Sequence, residues 1–160
     1  MADEAHTLSQ RRATRLSVEE ASLSGFTHKY RIDEDDYTFA NTGVTDTVTI
    51  TLGATPTDFL IDRAAINVVT AWAGADYETI TMMVGTDGDQ DNFIDAQSVT
   101  TAGPIIAAAG AIVKTEAGSI AAASDNLVVR LTNGNSGSPS TWAAGQTDVY
   151  LGIRGLNDLG

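Results

Sequence analysis

The chain has 160 residues, 42% of them hydrophobic, with no cysteine and 21 acidic against nine basic residues, a formal charge of −12. That length suffices for one compact domain without staples, and the missing thiols exclude disulfides, thiolate metal sites and cysteine nucleophiles together. A sheath of negative charge repels phosphate backbones, so no nucleic acid is expected as a partner; the longest apolar run, Pro104–Val113, is far short of the ~20 residues a bilayer span needs, so no membrane partner is expected either.

Residues 1–31 stand apart electrostatically: they hold five basic residues against four acidic ones, whereas residues 32–160 hold four against 17. They show no strand alternation. Acids precede the basic residues and no apolar run follows, unlike a secretory signal. Ser17-Val-Glu-Glu20 has the form of a capping box, but Gly25 leaves room for only a turn or two of helix. We therefore expect an N-terminal arm over 1–31, extended or partly helical, and a folded domain over 32–160, with the cluster Asp33–Asp36 a solvated approach to its first strand.

From Tyr30 onward short β-like runs alternate with Gly, Asp, Asn and Thr. Val44 to Leu52 places Val44, Val48, Ile50 and Leu52 on one face, a half-buried strand of period two. After a turn at Gly53–Asp58, Phe59 to Trp72 puts Ala64, Ile66, Val68, Thr70 and Trp72 together. Tyr77 to Gly85 turns Ile80, Met82 and Val84 inward; Thr86–Asn92 is a polar loop, after which Phe93 and Ile94 re-enter the core. Gly103, Pro104 and Gly110 make Pro104–Val113 an irregular or bulged strand rather than a helix. Asn126–Thr132 turns Leu127, Val129 and Leu131 inward, Asn133–Ser140 is a loop, and Thr147–Arg154 buries Val149, Leu151 and Ile153. Six or seven strands without helical periodicity between them predict an all-β antiparallel sandwich or barrel.

Little in this chain suggests catalysis. The only histidines, His6 and His28, lie in or beside the arm, without the rigid support a general base or metal ligand needs. No G-x-S-x-G elbow and no phosphate-cradling glycine motif is present. Asp87, Asp89 and Asp91 alternate as calcium-loop oxygens do, but the EF-hand positions that require Gly and Glu hold Asn92 and Ser98, so the plainer reading is an Asp/Gly turn. Trp72 and Trp142, with Tyr77 and Tyr150, are candidates for a sugar-stacking platform; aromatics on sandwich strands more often belong to the core.

Two stretches, "FLIDRAAINVVTAWAGADYETITMMVGTDGDQDNFIDAQSVTTAGPI" and "NLVVRLTNGNSGSPSTWAAGQTDVYLGIRGLN", carry a resemblance from about Asp58 to Leu156. They are similar to a family of small virion structural proteins of tailed bacteriophages and related archaeal viruses: head decoration, cement or head-fibre-base proteins. The matching texture is a strand ending V-x-V-x-T-x-[FW] at Ile66–Trp72, then V-G-x-x-G-D-x-D-x-[FY] from Val84 to Phe93, then I-x-x-L at Ile153–Leu156. The resemblance implies a jelly-roll-like β-sandwich, often trimeric at capsid symmetry axes, in which the Asp87–Asp95 loop is an ordinary turn. It further implies a location on the outer capsid surface and partners in the major capsid protein, in copies of itself and in some cases a head fibre. No cofactor, metal or enzymatic activity is expected, and Arg11, Arg12 and Arg15 of the arm are expected to meet acidic coat surface. The alternative is a carbohydrate-binding or adhesin-like module using Trp72 and Trp142.

Overall fold

A computed structural model describes residues 4–7, 13–15, 25–38, 47–54, 59–74, 79–105, 126–134 and 142–155. Ten strands are found among them: β1 (Glu4–Thr7), β2 (Ala13–Arg15), β3 (His28–Asp33), β4 (Thr47–Ala54), β5 (Phe59–Gly74), β6 (Ile80–Thr86), β7 (Ile94–Ser98), β8 (Gly103–Ile105), β9 (Asn126–Asn133) and β10 (Trp142–Gly155), with one short helix, α1 (Asp35–Thr38). They form two five-stranded sheets, β1-β4-β9-β6-β7 and β2-β3-β10-β5-β8. Every pairing is antiparallel except β1 with β4.

The pairing order explains the architecture. β3 pairs with β10, β4 with β9, β5 with β8 and β6 with β7, as in one long hairpin of eight strands. Rolling that hairpin brings β10 beside β5 and β9 beside β6, which makes two four-stranded sheets face to face. This is a jelly-roll β-sandwich, with β1 and β2 added at the outer edges of β4 and β3. The roll's two ends lie on opposite flanks: β3 and β4 form one, and β7 and β8, joined through Val99, form the other. Val99 ties that second flank by accepting from the Trp72 amide and donating to the Ile80 carbonyl, both at 3.0 Å.

Period two supplies the core. Val48, Ile50, Leu127, Val129, Leu131, Ile80, Met82 and Val84 of one sheet face Tyr30, Ile32, Ile66, Val68, Val149 and Leu151 of the other, all buried in one cluster. Phe93 and Ile94 join it as expected.

The sandwich begins at His28 rather than at residue 32, because Tyr30 and Ile32 point into the core while Lys29, Arg31 and Asp33 face outward. Asp33–Asp36 is the end of β3 and the start of α1: the Asp33 amide donates to Asp36 Oδ2 at 2.8 Å, the reach-back half of a capping box. Two face assignments differ from the alternation. Thr70 is exposed, because β5 bulges here: Ala73 to Thr70 takes three steps of β5 against two of β10, and Thr70 to Val68 takes two against one. Val128 is fully buried although it lies outside the core cluster, beside Gly85 in the ladder. Val44, Tyr77, the helix begun at Ser17 and the stretches 106–113 and 135–140 lie outside the described residues.

Candidate interaction face

The outward side of the sheet β2-β3-β10-β5-β8 carries three of the chain's nine basic residues, Lys29, Arg31 and Arg63. Lys29 and Arg31 on β3 stand opposite Tyr150 and Asp148 on β10, and Arg63 on β5 stands opposite Gly152. Asp148, only 2% exposed, is held from two sides. Arg31 grips it with both fork nitrogens, Nε to Oδ1 at 2.8 Å and Nη2 to Oδ2 at 2.9 Å, and Lys29 Nζ reaches Oδ2 at 2.8 Å. Burial pushes the Asp148 carboxyl up, but the hydrogen bonds from Arg31 and Lys29 outweigh it and hold the group below the ordinary carboxylate range. The same hydrogen bonds to Asp148 raise Lys29 and Arg31.

Aromatic rings interleave with these cations. Lys29 Nζ lies 5.6 Å from the Tyr150 ring centre, Tyr150 lies 5.8 Å from Phe26, and the Arg63 guanidinium lies 6.0 Å from Phe26. Phe26 is brought there by a turn at Gly25, whose φ of 75° favours glycine and whose missing Cβ leaves room for the Arg63 guanidinium. Thr27 then pins the chain to β10. Its amide donates to the Leu151 carbonyl at 2.9 Å and its Oγ1 accepts from the Ile153 amide at 2.8 Å. Arginine and tyrosine on a firm sheet are the composition of a protein-binding hot spot, although the Arg31 fork is itself taken by Asp148.

Thr27 Oγ1 shares a 2.8 Å hydrogen bond with His28 Nδ1, but that hydroxyl is committed to the β10 backbone. The hydroxyl thereby fixes a strand entry. His28 itself stacks on Tyr30, 6.4 Å between ring centres, so it lies within a core strand rather than in a loose arm.

The sequence-derived candidates fall elsewhere. Trp72 and Trp142 are buried, at 0% and 3% exposure, and pack edge to face 5.5 Å apart; Trp72 Nε1 donates to Thr147 Oγ1 at 2.8 Å. Neither indole offers a face to a sugar, so the platform assignment is corrected: both rings fill one end of the sandwich, where their apolar area counts most. Asp87, Asp89 and Asp91 sit in the β6–β7 loop, which folds back over Gly85. Asp87 Oδ2 accepts from Asn126 Nδ2 at 2.6 Å, Arg130 Nη1 donates to Gln90 Oε1 at 2.9 Å, and the Thr86 amide donates to the Asp89 carbonyl at 2.8 Å. Among the described residues no three acidic, histidine or cysteine side chains group as a metal site. Arg11 and Arg12 lie outside the described residues; Arg15 stands in β2 at the register position of His28.

No family model matches this chain, and no curated protein matches it. Among solved structures, a crystal structure of Aeromonas hydrophila PliG, a periplasmic lysozyme inhibitor of g-type lysozyme, is similar over 96% of this chain and 100% of that one, at 14% identity and a TM-score of 0.31. Likeness at that level carries nothing about function.

Proposed function

We propose that this chain is a virion structural protein that decorates or cements an icosahedral head from its outer surface, without catalysis, by binding major capsid protein subunits and copies of itself. The observation that carries this reading is the interaction face: a chain of net charge −12 sets Lys29, Arg31 and Arg63 among partly exposed aromatic rings on one side of a rigid sandwich. Such a face suits an acidic protein surface better than a small substrate. The resemblance of Asp58–Leu156 to head decoration and cement proteins supports the same reading. Arg15 lies in the edge strand beside β3, and Arg11 and Arg12 precede it in the sequence.

The test is the copy number of this protein relative to the major coat protein in purified virions, read by stained-gel densitometry. Comparable numbers, repeated over symmetry-related positions, are the expected result. A handful of copies, or none, overturns cementing. A truncation then locates the attachment. It must stop before Gly25, because a cut at residue 30 would remove the buried Tyr30 and the Thr27 pin. Deleting residues 1–24 is expected to leave the eight-stranded roll folded by circular dichroism and to abolish capsid attachment. Attachment at undiminished affinity would remove the N-terminal arginines from the reading.

A further inference from the structure

The N-terminal segment occupies both sheet edges of one flank, yet the roll closes without it. β1 lies parallel to β4, from Glu4 opposite Val48 to Thr7 opposite Thr51, and β2 lies antiparallel to β3, from Ala13 opposite Tyr30 to Arg15 opposite His28. The four hairpin pairs and the two central pairs all lie within β3–β10. Removing β1 and β2 therefore leaves every core strand with its core partners and bares only the outer edges of β3 and β4. Bare edges are templates for another strand.

Attachment to the sandwich proper starts at a definite point. Thr27 is fixed by its amide and hydroxyl to Leu151 and Ile153 of β10, and Gly25, two residues earlier, turns with a φ of 75°. From Thr27 onward the chain belongs to its own sandwich whatever the residues before Gly25 pair with. The strands before that point are short, four and three residues, and the parallel ladder of β1 is slightly the less stable kind.

We infer that the β3–β4 flank is an acceptor for the N-terminal strands of a second copy of this chain, so that β1 and β2 exchange between neighbours. Each copy carries identical strands, so exchange reproduces every ladder hydrogen bond and changes chiefly the entropy of closing the tether. Nine residues, 16–24, separate β2 from Gly25, a length of chain that can span up to ~30 Å. Exchange goes beyond the proposed capsid attachment and does not depend on it.

The absence of cysteine makes a clean test available. Thr7→Cys and Thr51→Cys are made in separate full-length chains, which are mixed, equilibrated and mildly oxidised. At ~1 mM, the effective concentration a short flexible tether provides, exchange is expected to give a covalent dimer with one chain of each kind. Its yield should exceed the dimer in either variant alone several-fold and grow with chain concentration before oxidation. If the mixture forms no such dimer while a T7C/T51C double variant closes its disulfide within one chain at every concentration, exchange is overturned. Ala5→Cys with Thr49→Cys, a second pair in the same register, repeats the measurement should the first pair misfold. Because the readout uses purified protein, failure here leaves the virion copy number unaffected, and a low copy number leaves this result standing.

Discussion

Replacing Gly145 with alanine is expected to destabilise the sandwich by about 3 kcal/mol, the sum of overpacking a tight core and losing a neutral hydrogen bond. For a chain of this size that is a fall of roughly 6–12 °C in Tm. A Cβ at position 145 would stand 2.8 Å from Trp72 Cε2 and closer still to Cδ2 and Cε3. The indole has nowhere to go: it is fully buried, its Nε1 is bonded to Thr147 Oγ1 at 2.8 Å, and Trp142 abuts it at 77°. Gly→Ala gains about 0.4–1 kcal/mol through the unfolded chain, which is offset by the strain of an alanine at the Gly145 φ of 159°, about 1 kcal/mol. A measured loss therefore reports the clash. Denaturant titration of a double-mutant cycle separates the two. In a Trp72→Ala background, itself costing about 3–5 kcal/mol, the added methyl enters vacated space and Gly145→Ala is expected to cost less than about 1 kcal/mol. Equal costs in both backgrounds would refute the steric account.

How far the sequence shows this depends on what each strand buries. Where one face is apolar and the other polar or small, as with Val48/Ile50/Leu52, Ile80/Met82/Val84 and Leu127/Val129/Leu131, alternation alone gives the strand and its inward face. The same rule holds for β3, whose Tyr30 and Ile32 alternate with Lys29, Arg31 and Asp33. Their charges and position make them look like part of a basic arm, and only the pairing with β10 shows that they line the outside of a core strand. Asp148 lies 117 residues from Arg31, so no local pattern joins them. One signal was present: an aspartate between Thr147 and Val149 in a strand is disfavoured, which asks for a partner. Thr70 departs from the alternation because β5 itself bulges there, and no Gly or Pro marks the bulge within Val68–Trp72. For the tryptophans the sequence favours the core without deciding it, since an aromatic near a glycine at a strand end also suits a platform; Gly145 beneath the Trp72 ring decides for the core.

Asp148→Ala is expected to cost about 2–3 kcal/mol at neutral pH, in the range for hydrogen bonds to charged groups. Removing one partner of a fully buried ion pair costs about 3–5 kcal/mol because a charge is stranded. Here the cations are not stranded. The side chains of Lys29 and Arg31 are 28% and 43% exposed and turn to water when the carboxylate goes, so the smaller figure applies. The pH dependence identifies the cause. The folded carboxyl titrates below its ordinary value of 3.8, so its contribution is complete above about pH 4 and is lost as pH falls through the folded value. The folded Lys29 ammonium titrates above 10.5, so its contribution is complete below that pH and is lost as pH rises through the folded value. The difference in unfolding free energy between wild type and D148A should therefore be level between about pH 5 and 9 and close toward zero in strong acid. It should also close in strong alkali by the Lys29 share alone, because Arg31 keeps its proton and its two bonds. Chemical denaturation across that range reads the difference directly. A gap that stays constant down to pH 2 would mean that Asp148 stabilises by shape and packing, and the clasp of β3 onto β10 would lose its electrostatic explanation.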